Sequence, residues 1–447
     1  MICQKFAIGL GKRLKEKRPL DHMKSCAILV LNSGSTSIKF GFYRVESSLI
    51  DDFTQPQIVS ETQLNASVNT EKVDFHILFE GEISFSAKAP SQILIKDAQN
   101  QILLSSKIAT SNLDDAIFHI LDYLAKSPTP KPQAIAHRVV HGGVHVQAHC
   151  LLNDKVEREL ELASPYATLH NKVSLAIIKI TRVRFPKLPQ LICFDTAFHA
   201  HMPDLASRLP LPSHFYELGI KRYGFHGLSC ESILSQLKKS APHLLFKRLI
   251  IAHLGGGCSI TAIKNGQSVD TTMGLTPSGG VMMGKRCGDI DPGLLLYLMR
   301  EKNMDCDALE HLINHESGLL GVSGLSSDMR DLHAATLTNA NAKLAIALFC
   351  NTIAKQIGAM MTVLNGLDAL IITGGIGEHD AIVRQMICSQ LACFGINLNA
   401  EQNNGLIADD IQIISDAKSA SVVYVVQSKE NAQIAFNAAK LLALLPE

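Results

Sequence analysis

The sequence lacks an excess of charge of either sign. Lysine and arginine number 42 against 41 aspartate and glutamate, which gives a formal net charge of +1. Proteins that bind nucleic acid through its phosphates usually carry a clear positive excess. The composition therefore indicates no nucleic acid partner. With 47% hydrophobic and 19% charged residues, it suits a soluble globular protein, and a chain of 447 residues predicts roughly two to three domains.

The sequence also lacks a disulfide pattern and a membrane-spanning run. Its 11 cysteines are scattered, with no Cys-x-x-Cys pair, which favours free thiols in a reducing cytoplasm. No apolar run reaches the roughly 18 residues needed to cross a bilayer. The longest helical apolar face, over 344–364, is interrupted by polar residues, and we predict Leu344, Ala347, Leu348 and Ile353 on its buried side.

Two common nucleotide-binding patterns are absent. There is no Gly-x-Gly-x-x-Gly, so the fingerprint of an NAD-dependent dehydrogenase is not met. The glycine-rich stretch 273–293 resembles a Walker A loop only superficially, because Arg286 stands where a serine or threonine would bind Mg²⁺. Arg286 among glycines is better interpreted as an anion clamp, the alternative being a solvated surface arginine.

Three apolar runs each end in a small, glycine-containing turn. The run 28–31 is followed by Asn32, a Gly/Ser/Thr turn, and a second alternating run that carries Lys39. The same strand–turn–strand pattern recurs over 249–263, and the run 369–373 ends in a glycine turn before a predicted helix. Glycine lets a backbone approach a ligand closely, and turn N–H groups suit phosphate oxygens. One such hairpin could be an ordinary turn, but three favour a nucleoside triphosphate held between two lobes.

Charged side chains follow two further predicted strands. Arg138 follows the strand 134–136, and Asp195 follows the strand 191–194. Ligands in open α/β sheets bind at the carboxyl ends of the strands, so we expect both at a site. Asn171 is predicted to be the N-cap of a helix over 173–183. Arg138 and Arg286 on opposite sides would suit a carboxylate acceptor and a transferring phosphoryl group.

Nine motifs in combination resemble the acetate kinase family, which belongs to the acetate and sugar kinase/Hsc70/actin superfamily. They are LNSGSTSIKF, AHRVVHGG, LHN, CFDTAFH, RYGFHG, AHLGGG, MGKRCGDIDPG, SSDMRDL and TGGIGE. The resemblance covers essentially the whole chain from Ala27 to the end. The resemblance implies an α/β, two-domain actin-like/ribonuclease H-like fold with duplicated topology and a central nucleotide cleft. It implies ATP and acetate as substrates, ADP and acetyl phosphate as products, and direct in-line transfer with Mg²⁺ or Mn²⁺.

The resemblance also implies a role for each matching residue. The catalytic residues would be Asp195, His226, Arg286, Arg138 and His170. The acetate pocket would be formed by Arg138, Val140, Leu169, Phe225 and Pro277. The metal would be held by Asn32 and Glu430. ATP or ADP would be bound by Lys39, Ser35, Ser37, His253, Leu254, Gly255, Gly256, Gly257, Asp328, Met329, Arg330, Gly375, Ile376, Gly377, Glu378 and His379. Because acetate has no proton to lose at neutral pH, we expect Asp195 to orient Mg²⁺ or its waters and not to act as a base.

The chain departs from the family pattern beside these positions. Gly256 and His379 stand where the family usually has asparagine, Leu228 and Cys230 replace threonine and histidine, Lys285 replaces threonine, and Met329 replaces an aromatic residue. These changes bear on nucleotide preference and rate more than on the type of reaction. A propionate or butyrate kinase of the same family, and a non-kinase actin/Hsp70-like nucleotide-binding module, are the alternatives.

The expected organisation follows the family. Residues 1–23 form a basic extension, and Met23 is a candidate alternative start. Residues 24–195 form the first domain, to which a final helix over 431–447 returns, and residues 196–430 form the second. The family implies a homodimer through the second domain, in the cytoplasm, with no nucleic acid or membrane partner.

Overall fold

The computed structural model describes residues 25–34, 37–47, 73–85, 90–108, 112–405 and 410–443. The predicted basic extension, Met23 and Ser35 lie outside these ranges. The strands are β1 (Cys26–Ser33), β2 (Ser37–Ser47), β3 (Val73–Ser84), β4 (Ser91–Lys96), β5 (Ile102–Ile108), β6 (Ala134–Val139), β7 (Cys150–Leu151), β8 (Gln190–Phe194), β9 (Arg248–Leu254), β10 (Cys258–Lys264), β11 (Gln267–Thr271), β12 (Ala369–Thr373), β13 (Ile411–Ile413) and β14 (Val422–Val426).

The α-helices lie between and after these strands. They are α1 (Leu113–Lys126), α2 (Asp154–Ala163), α3 (Thr168–Arg184), α4 (Asp204–Ser207), α5 (Ser213–Glu217), α6 (Gly227–Ser240), α7 (Pro292–Lys302), α8 (Cys306–His311), α9 (Gly318–Ser323), α10 (Met329–Ala335), α11 (Ala340–Leu364), α12 (Gly374–His379), α13 (Ala381–Gln390), α14 (Ala400–Asn404) and α15 (Glu430–Ala443).

The strands form two sheets that share one topology. The first has the order β5-β4-β3-β2-β1-β6-β8-β7, and the second has the order β11-β10-β9-β12-β14-β13. In the first, β1 is antiparallel to β2 and parallel to β6, which is parallel to β8. In the second, β9 is antiparallel to β10 and parallel to β12, which is parallel to β14. The predicted α/β fold with a duplicated topology is confirmed.

The central strand of the first sheet is buried on both faces. All eight residues of β1 are buried. Ala27, Leu29 and Leu31 belong to one apolar cluster, while Ile28 and Val30 belong to another on the opposite side. This is the period-2 alternation of a strand covered by structure on both faces. The polar residue Asn32 therefore stands at the end of a rigid strand.

The last helix packs on the first sheet. Ile434, Ala435 and Ala438 of α15 lie in the same cluster as Ile28 and Val30 of β1. This contact brings the start of α15 to the carboxyl end of β1. Glu430, the first residue of α15, is thereby placed beside Asn32.

Helix α11 is the core helix of the second half. It is long and apolar enough to span a membrane, the one such helix in the described part of the chain, yet ten of its residues are buried in the largest apolar cluster. The predicted buried face was partly wrong. Ile353 is buried, but Leu344, Ala347 and Leu348 are exposed, because the helix is apolar on more than one side and periodicity alone cannot choose between them.

Two local predictions near the site also differ from the structure. Helix α3 begins at Thr168, so Asn171 is not an N-cap. Instead, its side chain accepts a hydrogen bond from the His141 N–H and donates one to the His141 carbonyl. The predicted glycine turn after β12 is a short helix, α12, which begins at Gly374 with φ +81°. Glu378 accepts from the Gly374 N–H at 2.9 Å, which stabilises the start of this helix.

Candidate active site

Three polar residues meet at the carboxyl ends of neighbouring strands in the first sheet. Arg138 is the second-last residue of β6, Asp195 follows β8, and Asn32 lies near the end of β1. Arg138 donates from Nε to Asp195 Oδ1 at 3.0 Å and from Nη2 to Asp195 Oδ2 at 2.6 Å. Its Nη1 donates to Asn32 Oδ1 at 3.0 Å. The sequence-predicted residues are therefore joined in one hydrogen-bonded group.

Glu430 completes this group from the other end of the chain. Its Oε2 accepts from Asn32 Nδ2 at 3.4 Å and lies 4.0 Å from Arg138 Nη1. Asn32 Nδ2 also donates to Asn431 Oδ1 at 3.0 Å. Asn431 was not predicted as a site residue, although its position directly after Glu430 could have suggested it. The amide of Asn32 thus links the guanidinium to the acidic residue.

Burial and mutual charge set the protonation states here. Burial opposes the charged form of Arg138, but Asp195 and Glu430 outweigh it and raise its pKa. Burial alone would raise the pKa of Glu430. The electrostatic effect of Arg138, His253 and Lys39 is larger, so the pKa of Glu430 is lowered. Burial raises the pKa of the Asp195 carboxyl, and Arg138 opposes that shift. The guanidinium and the Glu430 carboxylate are both charged at neutral pH.

The oxygen atoms of this group fit a hard divalent cation. Mg²⁺ is usually held by one or two carboxylates, substrate phosphates and retained waters. Glu430, Asp195 and the Asn32 amide supply such oxygens, and a carboxylate oxygen bonded to Arg138 keeps a second lone pair. Among the described residues, no group of three or more His, Cys, Asp or Glu could hold an ion. The donor set suits Mg²⁺ shared with a phosphate better than a dedicated metal cage.

His226 and Arg286 meet at the turn that follows β9. A Cβ atom added to Gly257 would lie 3.3 Å from His226 Nε2 and 3.5 Å from Arg286 Nη1. The His226 ring stacks on His253, with centroids 4.2 Å apart, and its Nδ1 lies 3.0 Å from Ser259 Oγ. Burial, His253 and then the two arginines hold the pKa of His226 well below its usual value. His226 is therefore a neutral ring with Nε2 beside a guanidinium.

Burial and both arginines lower the pKa of His170. Burial, then Arg286, then Arg138 lower the pKa of His170 to about 3. The arginine on β6 and the arginine of the 277–292 loop therefore act on the same small region. Arg286 is held there by a hydrogen bond from Nη1 to the Pro277 carbonyl at 2.8 Å.

Three of the four predicted apolar pocket residues are buried. Val140 and Phe225 are buried in one cluster, and Pro277 is also buried. Leu169 lies in the first turn of α3, and its side chain is outside the described part of the structure. Of the four residues, Pro277 lies next to the Arg286 guanidinium, and an apolar wall beside a guanidinium suits a small organic acid, whose carboxylate needs charge and whose alkyl group needs an apolar surface.

The glycine segments of the second half converge near the same place. A Cβ on Gly255 would lie 3.9 Å from the Gly375 N–H nitrogen. The Gly284 N–H donates to the Gly256 carbonyl at 3.3 Å. A Cβ on Gly256 or Gly375 would meet no atom within 4 Å, so both glycines face open space. Next to them, His253 Nδ1 lies 2.9 Å from Ser229 Oγ, whereas the Leu254 side chain is buried in the core.

The remaining predicted nucleotide residues differ in their surroundings. Asp328 is the N-cap of α10 and pairs with Arg330, whose side chain is 90% exposed. Between them, Met329 is buried in the core. Glu378 uses Oε1 to accept from the Gly374 and Ser428 N–H groups, so its carboxylate holds α12 in place.

The last predicted nucleotide-binding residues differ in their exposure. His379 is exposed, whereas Ile376 is half-buried and Gly377 is buried. Lys39 is exposed on β2 opposite Asn32. Ser37 begins β2, and its carbonyl accepts from the Gly34 N–H at 2.8 Å.

Comparison with known proteins assigns the chain to a family. The sequence profile of the acetokinase family matches residues 27–436. An acetate kinase of Rhodopseudomonas palustris is 38% identical over 385 residues, or 86% of this chain and 90% of the relative. The crystal structure of Porphyromonas gingivalis acetate kinase, 31% identical, superposes with a TM-score of 0.76 over 93% of this chain and 100% of that one.

A propionate kinase structure is equally similar. The protein from Francisella tularensis is 32% identical, with a TM-score of 0.78, and the match covers 92% of this chain and 98% of that one. Because the propionate kinase has the same fold, the fold does not identify which acid is the substrate. That choice depends on the residues that line the acid pocket. With the family profile and the acetate kinase relatives covering nearly the whole chain, the protein belongs to the acetokinase family and is an enzyme of the acetate kinase type.

Proposed function

We propose that the protein transfers the γ-phosphoryl group of ATP to acetate in a single in-line, Mg²⁺-dependent step. The acetate oxygen forms the new bond to phosphorus as the bond to the ADP oxygen breaks, and no proton is transferred. The same step run backwards makes ATP from acetyl phosphate. Two observations support the proposal: His226 Nε2 and Arg286 Nη1 both lie beside Gly257, and, in addition to burial, Arg138 and Arg286 both lower the pKa of His170 and of His226. We infer that the two cations flank one small space.

Arg138 is proposed to bind the carboxylate of acetate. Guanidinium has five N–H donors. Three of its nitrogens already donate to Asp195 and Asn32, which leaves two N–H groups for a substrate. The fixed fork also holds the carboxylate in one orientation, which supplies the positioning that phosphoryl transfer needs most.

Arg286 and His226 are proposed to stabilise the transferring phosphoryl group. The charge on its equatorial oxygens is best met by preorganised donors in a site that excludes water. Arg286 brings a permanent charge, while His226, kept neutral by burial and its cationic neighbours, brings a hydrogen bond from Nε2 when Ser259 occupies Nδ1. His170 would support the same space from the side of the acid.

Asp195, Asn32 and Glu430 are proposed to hold Mg²⁺ and its waters. When bound, the cation would offset the negative charge of the phosphate groups; Mn²⁺, with similar ligand preferences, would serve as well. Asp195 also orients the Arg138 fork, which is a role in positioning and not in proton transfer. The glycine turns at 255–257 and 374–377, with Lys39, would hold the phosphates, and the 328–330 segment would lie toward the adenosine.

The acid is proposed to be acetate, with propionate as the second candidate. The predicted wall of Val140, Leu169, Phe225 and Pro277 is small, but one methylene changes discrimination by only about 1–3 kcal/mol. The experiment is to incubate the protein with ATP, Mg²⁺ and each of the C2, C3 and C4 acids, and to trap acyl phosphate with hydroxylamine. The highest kcat/KM for acetate supports the proposal, and the highest for propionate favours the relative. Formation of no hydroxamate would favour a nucleotide-binding module without kinase activity.

A homodimer through the second half is also proposed. Helix α7 carries Leu294, Leu296, Tyr297 and Met299, and none of its residues is buried. An isolated helix of this length is only marginally stable in water, so an exposed apolar surface of this kind needs a cover. A second copy would supply one, extended by the exposed Leu344 of α11. We expect the dimer in the cytoplasm, without nucleic acid or membrane partners.

The two sheets mark the proposed domains. The first would span 24–195 with the returning helix 431–447, and the second would span 196–430. Asp195 and Glu430 would then stand at the two crossings between the domains, where closure of the cleft would move them together with the substrates.

A further inference from the structure

The loop that carries Arg286 is held by a separate chain segment. The Cys287 N–H donates to the Ile313 carbonyl at 3.1 Å, and the Ser317 N–H donates to the Lys285 carbonyl at 3.1 Å. These two hydrogen bonds lie on either side of Arg286. Main-chain bonds of this kind fix the backbone from which the guanidinium projects.

Two more bonds continue the same contact. The Leu319 N–H donates to the Met283 carbonyl at 2.9 Å, and the Leu320 N–H donates to the Gly284 carbonyl at 3.0 Å. The segment that makes all four contacts, 313–320, is called here the clamp segment. It overlaps a π-helical turn, Leu312–Glu316, a rare conformation that occurs often at functional sites.

Gly318 is the point of closest approach. Its φ is +64°, and a Cβ atom there would lie 2.2 Å from the Met283 carbonyl oxygen and 2.8 Å from the Arg286 carbonyl oxygen. Both neighbours are backbone atoms, which cannot move aside as a flexible side chain does. A side chain at position 318 must therefore push the loop, in addition to the strain of a left-handed conformation.

The displaced atoms belong to the backbone that carries Arg286. The Arg286 carbonyl accepts from the Met283 N–H at 3.1 Å, so the same short turn contains both atoms that position 318 touches. From this turn the guanidinium reaches the Pro277 carbonyl and the edge of Gly257. A displacement of about 1 Å at a reacting group can cost on the order of 10²-fold in rate.

We propose that Gly318 is a positioning residue for Arg286, and that the clamp segment sets the distance between this guanidinium and the transferring phosphoryl group. This inference rests on the proposed function, because it assigns Arg286 to the reaction. Gly318 itself contacts no substrate. Its role is to let the clamp segment lie directly against the loop.

A second, side-chain link belongs to the same arrangement. Ser278 Oγ donates to Asn314 Oδ1 at 2.5 Å, which ties the other end of the loop to the clamp segment. Ser278 follows Pro277, whose carbonyl receives the Arg286 guanidinium. Removing the Ser278 hydroxyl breaks this link between the loop and the clamp segment without straining the backbone. It is therefore a second way to disturb the position of Arg286.

The test compares Gly318→Ala with Gly324→Ala. Gly324 has nearly the same φ, +61°, but a Cβ there would meet no atom within 4 Å, so its variant carries the backbone strain without the push on the loop. Steady-state kinetics should show a kcat for Gly318→Ala lower by about 10–10²-fold, with the KM for ATP changed by less than about threefold. Gly324→Ala should keep kcat within about twofold. Equal kcat losses in both variants would overturn the proposal.

A double-mutant cycle separates positioning from general loss of structure. If Gly318 acts through Arg286, then Gly318→Ala should lower kcat by less than about twofold in an Arg286→Ala background, because the group it positions is gone. The full loss in that background would overturn the proposal. If Gly318→Ala does not fold, Ser278→Ala takes its place in the cycle with the same expectations. Absence of hydroxamate from the unmodified protein would contradict the proposed function instead, so the two failures are distinguishable.

Discussion

The Arg138 guanidinium and the Asp195 carboxylate form two parallel hydrogen bonds, from Nε to Oδ1 at 3.0 Å and from Nη2 to Oδ2 at 2.6 Å. The pair is almost fully buried, with side-chain exposures of 14% and 2%. Charge-assisted fork contacts are among the strongest in proteins. The pair therefore holds the Arg138 guanidinium in one orientation, as the proposed role in binding acetate requires.

Replacing Arg138 should damage both stability and activity. Arg138→Ala leaves the Asp195 charge buried without its partner, which should lower the free energy of unfolding by about 3–5 kcal/mol, as measured by urea titration. Arg138→Lys keeps a charge but loses the fork, and kcat/KM for acetate should fall by about 10²-fold or more. Lys179, which pairs with Glu161 at the surface, is the control, and its alanine variant should lose only about 0–1 kcal/mol. Similar losses from both alanine variants would contradict the buried pair.

Replacing Asp195 should change the dependence on metal. Asp195→Asn keeps the shape of the side chain but removes its charge, so the Mg²⁺ concentration for half-maximal rate should rise by about tenfold or more, because a carboxylate ligand is lost. Activity measured against Mg²⁺ concentration checks this. Asp368→Asn, which breaks a surface pair with Arg248, should leave that concentration unchanged. An unchanged Mg²⁺ dependence in Asp195→Asn would contradict the proposed role in holding the metal. Asp195 would then serve only to orient the Arg138 guanidinium.

Acid should destabilise the fold through its buried histidines. Burial lowers the pKa of His137, His141 and His199 to about 4. Below about pH 6.5 the unfolded chain binds a proton at each histidine, and the folded chain does not until about pH 4, so the unfolded state is favoured as the pH falls. Each histidine should contribute a slope of up to about 1.4 kcal/mol per pH unit in this window.

Urea unfolding between about pH 7.5 and about pH 4.5 measures this slope. His199→Asn removes one of the three groups and should make the fall in the free energy of unfolding shallower by roughly one proton. Identical slopes for His199→Asn and the unmodified protein would show that His199 does not titrate in this way.

A charge on α7 should dissociate the dimer. Leu296→Glu places a carboxylate on the apolar face that we propose is covered by the second copy, so light scattering should show a shift from dimer to monomer at micromolar concentration. Leu162→Glu, which adds the same charge at a highly exposed leucine of α2, should remain dimeric. A monomeric unmodified protein, or a dimeric Leu296→Glu variant, would rule out this face.

The sequence was sufficient to predict the meeting of Arg138 with Asp195. Each follows an apolar strand, and the carboxyl ends of parallel strands share one edge of a sheet. The recurrence of a glycine turn after β1 and β9 likewise predicted the duplicated topology that the two sheets share. Both inferences depend on local patterns that determine local geometry.

Other features depend on contacts that no local pattern encodes. The hydrogen bonds of Asn171 to the His141 backbone and the approach of Gly318 to the Arg286 loop arise from the tertiary register of distant segments. The buried face of α11 was misassigned because Leu344 and Leu348 are as apolar as the residues that face the core. The sequence alone does not distinguish apolar residues that are exposed, for example in a subunit interface, from those that are buried in the core.

Direct transfer requires that ATP and acetate be held together between Arg138 and Arg286 while the phosphoryl group moves in one step. The most direct measurement is the stereochemistry at phosphorus, using ATP whose γ-phosphoryl group is made chiral with oxygen isotopes and analysing the acetyl phosphate formed. One in-line displacement inverts the configuration, and inversion is the result we predict. Retention would mean two displacements through a phosphorylated protein side chain, and it would contradict direct transfer.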